Sequence, residues 1–286
     1  MKKYAEALDL QEKVVQLQTT LLGEQHMDTI AVVNLEGTYY QLGRYADALS
    51  SEQKVMELRK KLLGAEHPDT IAAIAEVGYI HYKMQSYMEA LALQEEVTDL
   101  LTILLGTAHP DTITAMANLA ETYHMRERYS VAIDLQETVV ERQTRLLGAE
   151  HLDTLESLSN LSVIYYSAEM YLEALNLEEK MVAKCTELLG PEHETTILVQ
   201  SNLAHTLEQL GRHSDACNLF NQVATKQMHT LGPDHPDTKK TLSKVTKLQN
   251  IRTTAADEES APVPALQDPT KPGSIFRHLM QFMGFD

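Results

Sequence analysis

The chain has 286 residues, 43% of them hydrophobic, and sets 24 Lys and Arg against 41 Asp and Glu, a formal charge of −17. A nucleic-acid binder needs a basic face to displace phosphate counterions, and an anionic membrane surface repels an acidic one, so composition argues against both partners. No apolar run reaches the length of a membrane span, and Met1-Lys2-Lys3-Tyr4-Ala5-Glu6 enters an amphipathic pattern without the apolar stretch of a signal peptide.

The first predicted helix, about 3–22, leads into Leu22-Gly23, then His26, then Asp28-Thr29. The same phrase returns at Leu63-Gly64 to Thr70, Leu105-Gly106 to Thr112, Leu147-Gly148 to Thr154, Leu189-Gly190 to Thr196 and Leu231-Gly232 to Thr238. Its glycines stand 41 residues apart once and 42 apart four times. A fixed period of that size marks a stack of structural repeats, in which each unit buries its apolar face against its neighbours.

Each period divides into two predicted helices. The A helices cover about 29–42, 70–84, 112–126, 154–168, 196–210 and 238–250. The B helices cover about 3–22, 45–63, 87–105, 129–147, 171–189 and 213–231. Glycine at the end of each B helix suits a left-handed terminating residue. Pro68, Pro110 and Pro236 suit the first helical position, and Asp28, Asp69, Asp111, Asp153 and Asp237 suit the cap or first turn. The short links, such as Leu42-Gly43-Arg44-Tyr45 and Leu210-Gly211-Arg212-His213, predict antiparallel hairpins.

Aligned on Asn34, Glu76, Asn118, Asn160 and Asn202, the A helices show a buried stripe. Leu35, Val77, Leu119, Leu161 and Leu203 come next, mostly small residues follow (Gly78, Ala120, Ser162 and Ala204), and Tyr39, His81, Tyr123, Tyr165 and Leu207 stand five positions on. Ala46, Ala48, Ala90, Ala132 and Ala174 near the start of B permit close helix approach. Gly-Arg-Tyr-x-x-Ala-Leu after a late tyrosine resembles the tetratricopeptide helix-turn-helix. The longer period, with Leu-Leu-Gly-x-x-His-Pro-Asp-Thr, resembles the repeats of kinesin light chains, and similar arrays occur in fungal NTPase-coupled receptors. The resemblance covers about residues 1–250. It implies an all-α, right-handed α-solenoid of about five complete hairpins with a half-repeat at each end. Neither the light chain's heptad coiled coil nor a P-loop is found in the sequence.

At one end, helix 3–22 has no A partner, which predicts a longer protein or a covering surface over Leu8, Val15 and Leu17. At the other, helix 238–250 sets Lys240, Lys244 and Lys247 opposite Leu242, Val245 and Leu248, as a capping repeat requires. Residues 251–273, rich in Ala, Pro, Asp, Glu and Thr, predict a disordered linker. Residues 274–286 form a short amphipathic segment with three of the four phenylalanines, and Ile275 to Phe285 is expected to dock on the chain itself or on a partner.

Chemistry finds little support. His26, His67, His109, His151, His193 and His235 recur beside acidic residues, but helices spaced about 8–10 Å apart cannot place two such residues on one zinc, so a structural loop role is expected. Carboxylate pairs such as Glu95-Glu96 and Glu178-Glu179 read as solvated faces. His213 and Cys217 lack an orienting third group. Cys185 and Cys217 read as reduced thiols of a cytosolic protein, the alternative being that they meet across adjacent repeats. No catalytic residue, metal or cofactor is expected.

The sharper candidate is a surface. The resemblance implies that A helices line a concave groove in which the Asn column meets extended peptides. Its expected lining is Asn34, Glu76, Tyr79, Lys83, Asn118, Thr122, Met125, Asn160, Ile164, Asn202, His205 and Thr206. Lys83 and Arg126 are the only Lys or Arg in the five interior A helices, too few for a carboxylate clamp, so a neutral or basic segment is favoured. The expected function is a cytoplasmic, non-enzymatic adaptor that binds a protein or peptide. The alternative is the sensing module of a split NTPase-coupled receptor.

Overall fold

The computed structural model describes residues 42–260 continuously and, before them, positions 10, 13, 14, 16, 17, 20, 21 and 39. Asn34, most of the first predicted B helix and the segment 274–286 lie outside the described residues. Ten helices occupy the continuous stretch: α1 Tyr45–Leu63, α2 Pro68–Lys83, α3 Tyr87–Leu105, α4 Pro110–Met125, α5 Tyr129–Leu147, α6 Leu152–Ser167, α7 Tyr171–Leu189, α8 Glu194–Gln209, α9 His213–Thr230 and α10 Pro236–Ser260. Among the described residues every regular element is a helix. The chain falls into two units, Met1–Arg212 and His213–Asp286.

In the first unit consecutive helices from α1 to α8 pack on one another, and α4, α6 and α8 also touch in series. The odd-numbered helices are the predicted B helices and the even-numbered ones the A helices. In the second unit α9 packs on α10. Helix α10 runs past the expected boundary at Asn250 to Ser260, so the first part of the predicted linker is helical. Its sequence there contains no Pro or Gly before Pro262, and a residue preceding proline is driven out of the helical region.

The repeated phrase builds the loop from each B helix to the next A helix. Gly64, Gly106, Gly148 and Gly190 take φ of 92°, 87°, 95° and 92° with ψ between 158° and 164°. That is an extended region with positive φ, not the left-handed helical cap expected, and almost only glycine enters it. The next fixed residue is the histidine, which is the N-cap itself. Its extended backbone turns the chain, and its Nδ1 accepts the N–H two residues on: Asp69 on His67, Asp111 on His109, Asp153 on His151 and Thr195 on His193, each at 3.2 Å, and Asp237 on His235 at 3.3 Å. The A helices therefore begin two residues earlier than predicted. Threonine closes the loop. The Oγ1 of Thr112, Thr154, Thr196 and Thr238 donates to the carbonyl of the preceding loop glycine at 2.8–2.9 Å, and all four are fully buried.

The turn from A to B uses another device. Gln85 donates its N–H to Tyr82 O and Ser86 donates to His81 O, both at 2.9 Å. This paired closure ends a helix with one left-handed residue. That residue is Gln85, Glu127 or Glu169, with φ of 61°, 57° and 60°, and glycine at Gly43 and Gly211.

Between helices, Ala48, Ala90, Ala132, Ala174 and Ala216 are all fully buried and let each B helix lie close to its neighbours. Aliphatic clusters fill the remaining space, such as Ile71, Ile74, Val97 and Ala115, or Leu155, Met181, Cys185 and Val199. Both cysteines are free and buried. One B-helix column stays polar inside: Glu52, Gln94, Gln136 and Glu178 are all buried, so Glu178 does not stand on the solvated face expected of it, and Phe220 occupies the matching place in the second unit. Gln136 donates to Ser157 O at 2.9 Å, whereas Glu52 Oε2, Gln94 Oε1 and Glu178 Oε2 meet no hydrogen-bond partner.

Candidate functional site

In the first unit the A helices present one outward face each, and the period of the helix decides what stands on it. Taking the Asn column as zero and 100° per residue, the exposed positions −4, +3 and +7 fall on one side of that column. On α2 these are Ala72, Glu76, Tyr79 and Lys83, and on α4 Thr114, Asn118, Glu121 and Met125, all of them partly or fully exposed. Glu156, Asn160 and Val163 are exposed on α6. On α8 Leu198 is exposed, while Asn202 and His205 are half-buried.

Thr122, Ile164 and Thr206 do not share this face. They are 0%, 3% and 0% exposed, because position +4 lies about 40° beyond the Asn column on the side that turns into the hairpin. Thr122 Oγ1 donates to Asn118 O within its own helix at 3.1 Å. The Thr206 and Ser162 hydroxyls lie beside the Glu178 carboxyl and oppose the rise that burial gives its pKa. These residues support the face from beneath.

Next to the exposed positions runs a polar ladder that ties each A helix to the next. Tyr82 Oη donates to Glu121 Oε1 at 2.6 Å, His124 Nε2 and Ser167 Oγ are 2.9 Å apart, and Gln209 Nε2 donates to Tyr166 Oη at 3.1 Å. Burial pushes the Tyr82 hydroxyl well above its usual range, and the bond to Glu121 adds to that, so it stays a donor. Burial lowers the His124 pKa against the pull of Glu121, which favours a neutral ring. Tyr123 to Glu95, and Tyr165 to Glu137 at 2.5 Å, tie A helices back to the preceding B helices. The late aromatic column thus fixes the spacing of the face.

Lys83 is less available than its exposure implies. Its ammonium lies 4.8 Å from the Tyr79 ring centroid and 5.5 Å from that of Tyr82, and its bond to Tyr79 raises its pKa. Carboxylates at Glu76 and Glu156 stand on the same face with Asn118, Asn160 and Asn202. Between α2 and α4, over α3, the face opens into a cleft of about 690 Å³ whose walls include Ala72, Ala75, Tyr79, Thr114 and Asn118. Its floor includes Gln94, Val97 and Leu101. The expected lining includes two of these walls, Tyr79 and Asn118, and nothing of the cleft.

No group of three or more His, Cys, Asp or Glu side chains is placed to hold a metal ion among the described residues. His67, His109, His151, His193 and His235 spend their Nδ1 atoms on helix caps. No described helix is long and apolar enough to cross a membrane.

Comparison with known proteins fits this architecture. No curated protein sequence matches the chain. Crystal structures of the nearly identical TPR-like repeats assigned to a kinesin light chain of Podosopora anserina match at 28% identity. One of them covers 69% of this chain and 94% of its own with a TM-score of 0.64. BtubC (BKLC) of P. vanneervenii matches at 16% identity over 96% of each chain, TM-score 0.53. Yeast Tom70 matches at 16% identity over 88% of this chain and 44% of its own, TM-score 0.55. The latter two share the fold alone. Tetratricopeptide-repeat signatures match residues 1–61, 70–144, 127–186 and 196–237. With its capped helical hairpins, its buried alanine column and these matches, the chain belongs to the tetratricopeptide-repeat family.

Proposed function

We propose that this chain is a non-enzymatic interaction scaffold that holds an extended segment of a partner protein along the outward face of α2, α4, α6 and α8. One observation carries the reading. Each repeat keeps the same histidine cap and buried alanine, and α2, α4 and α6 carry aromatic ties, yet each leaves one face exposed where the residues differ from helix to helix. A framework held constant around a varied surface is what selective recognition needs.

Asn118, Asn160 and Asn202 suit that role chemically. A side-chain amide both donates and accepts, so it pairs with a peptide backbone without choosing side chains. The neighbouring columns then supply selectivity: Tyr79 and Met125 offer apolar contact, and Glu76 and Glu156 offer negative charge. Affinity would be the sum of modest contacts on a preformed surface, which needs little ordering on binding. In an array of this family the A-helix face lines the concave side, and the expected cytoplasmic location belongs to the same reading.

The test is a comparison of captured partners between the intact protein and a variant carrying Asn118→Ala, Asn160→Ala and Asn202→Ala. These asparagines are exposed or half-buried, so the fold should survive, and circular dichroism checks it. Selective loss of partners supports the face as the working surface. An unchanged partner set removes it.

A further inference from the structure

We propose that the cleft between α2 and α4 anchors a basic peptide segment, with one large apolar side chain inside it and flanking lysines or arginines against the carboxylates at its rim. This rests on the groove reading above and specifies the chemistry of the ligand.

The cleft's size follows from small residues. Its volume of about 690 Å³ lies within the range of ligand clefts. Ala72 is a wall, and the residues at its place in the following repeats are Thr114, Glu156 and Leu198, each longer. Ile71, Val97 and Leu101 make the interior apolar. An extended chain passing over this point meets a hole, whereas further along it meets side chains.

The floor carries an unused polar group. Gln94 is only 8% exposed, and its Oε1 has no hydrogen-bond partner, whereas the equivalent Gln136 spends its amide on Ser157 O. Gln94 lines the cleft, and a half-turn about its last side-chain torsion exchanges the amide oxygen and nitrogen. A buried amide left unpaired is costly, so an occupant whose apolar body ends in a hydroxyl or ring N–H gains by meeting it. Tyrosine has that form.

Charge selects what surrounds the anchor. Glu66 and Asp111 line the rim, and Glu76 stands on α2 one turn from Tyr79. Of the nearby cations, Lys83 lies over the rings of Tyr79 and Tyr82, Lys60 pairs with Glu96 at 3.1 Å, and Arg59 donates to Asp69 O at 3.1 Å. His109, on the rim, accepts the Asp111 N–H through Nδ1. The carboxylates of Glu66, Glu76 and Asp111 at the mouth favour a basic segment over an acidic one.

A fluorescein-labelled nonapeptide with a central tyrosine and two arginines on each side serves as the probe, titrated with the full chain by fluorescence anisotropy. Saturable binding is expected, weakened by about tenfold or more when the central tyrosine becomes alanine, since an apolar side chain leaves the cleft. Replacing the arginines by glutamates should abolish binding, and raising the salt should weaken it. In the protein, Ala72→Leu should fill the cleft, and Glu66→Lys, on an exposed loop residue with no packing role, should reverse the rim charge. Each should weaken binding by about tenfold. No saturation at about 1 mM peptide, or binding indifferent to the tyrosine and to both variants, overturns the proposal. If binding ignores Ala72→Leu and Glu66→Lys but is lost in the triple asparagine variant, the cleft assignment falls and the groove reading stands. If all three variants bind as the intact chain does, both fall.

Discussion

Each period has two turns that need a positive φ, and they treat side chains differently. The loop from B to A is glycine at every described repeat, from Gly64 to Gly232. The turn from A to B holds glycine at Gly43 and Gly211 but Gln85, Glu127 and Glu169 between them. The second torsion explains the contrast. Near φ 92° and ψ 164° a Cβ collides with its own backbone, whereas near φ 60° in the left-handed helical well it is merely disfavoured, by about 1–2 kcal/mol. Invariance at the first turn and variety at the second are thus backbone physics, and neither is a functional signature.

Breaking the strict turn should give the largest effect. Gly148 has φ 95° and ψ 158°, and a Cβ added there meets nothing within 4 Å, so the whole cost of Gly148→Ala is torsional. We expect a loss of about 2–3 kcal/mol in urea unfolding. Glu127→Ala, at the tolerant turn, should stay within about 0.5 kcal/mol of the parent. Equal losses at both sites would end the distinction.

That contrast also shows which parts of the molecule were legible beforehand. The 42-residue period and the apolar stripe at helical spacing located every helix of the continuous stretch, because periodicity is set by burial. The histidine caps were not legible as caps: histidine is an uncommon N-cap, and a side chain beside Asp and Pro looks like a ligand or a generic loop residue. Thr122, Ile164 and Thr206 were misplaced by a single step of about 40°, which a sequence face cannot resolve without knowing where the partner helix lies. The cleft over Gln94 was hidden for another reason. It is made by what is missing, small side chains on two helices, and absence of volume leaves no pattern along one chain.

An interior column sharpens the comparison, because equivalent places again hold different residues. Glu178 is 1% exposed, and burial raises its carboxyl pKa from the ordinary 4.5 to about 7, against the hydroxyls of Thr206 and Ser162. Glu52 is raised to about 7 as well, mainly by burial. Gln94 and Gln136 in the same column carry no charge. A folded-state pKa above the unfolded one means that the unfolded chain loses its proton first. The contribution of the neutral carboxyl is whole below pH 4.5, declines as pH climbs from 4.5 to about 7, and is gone above that. Glu178→Gln should therefore change little at about pH 4.5 and stabilise the fold by about 1–3 kcal/mol at about pH 8. Unfolding curves across that range would show it, and a pH-independent difference would mean that the carboxyl is ionised in both states.

A smaller effect runs in the opposite direction to the first. At Glu127, with φ 57°, glycine relieves the left-handed strain that Gly43 and Gly211 avoid. Against this stands the greater freedom glycine has when unfolded, which costs up to about 1 kcal/mol. The left-handed penalty for a side chain is about 1–2 kcal/mol, so Glu127→Gly should gain about 0.5–1 kcal/mol. Glu127 is exposed, so the exchange disturbs no packing. Partner binding should not change, since the residue lies past the end of α4 and off the exposed column. A measured loss of stability would show that the unfolded-state entropy outweighs the strain. The tolerance of this turn would then come from the unfolded chain, and the contrast between the two turns would need a new cause.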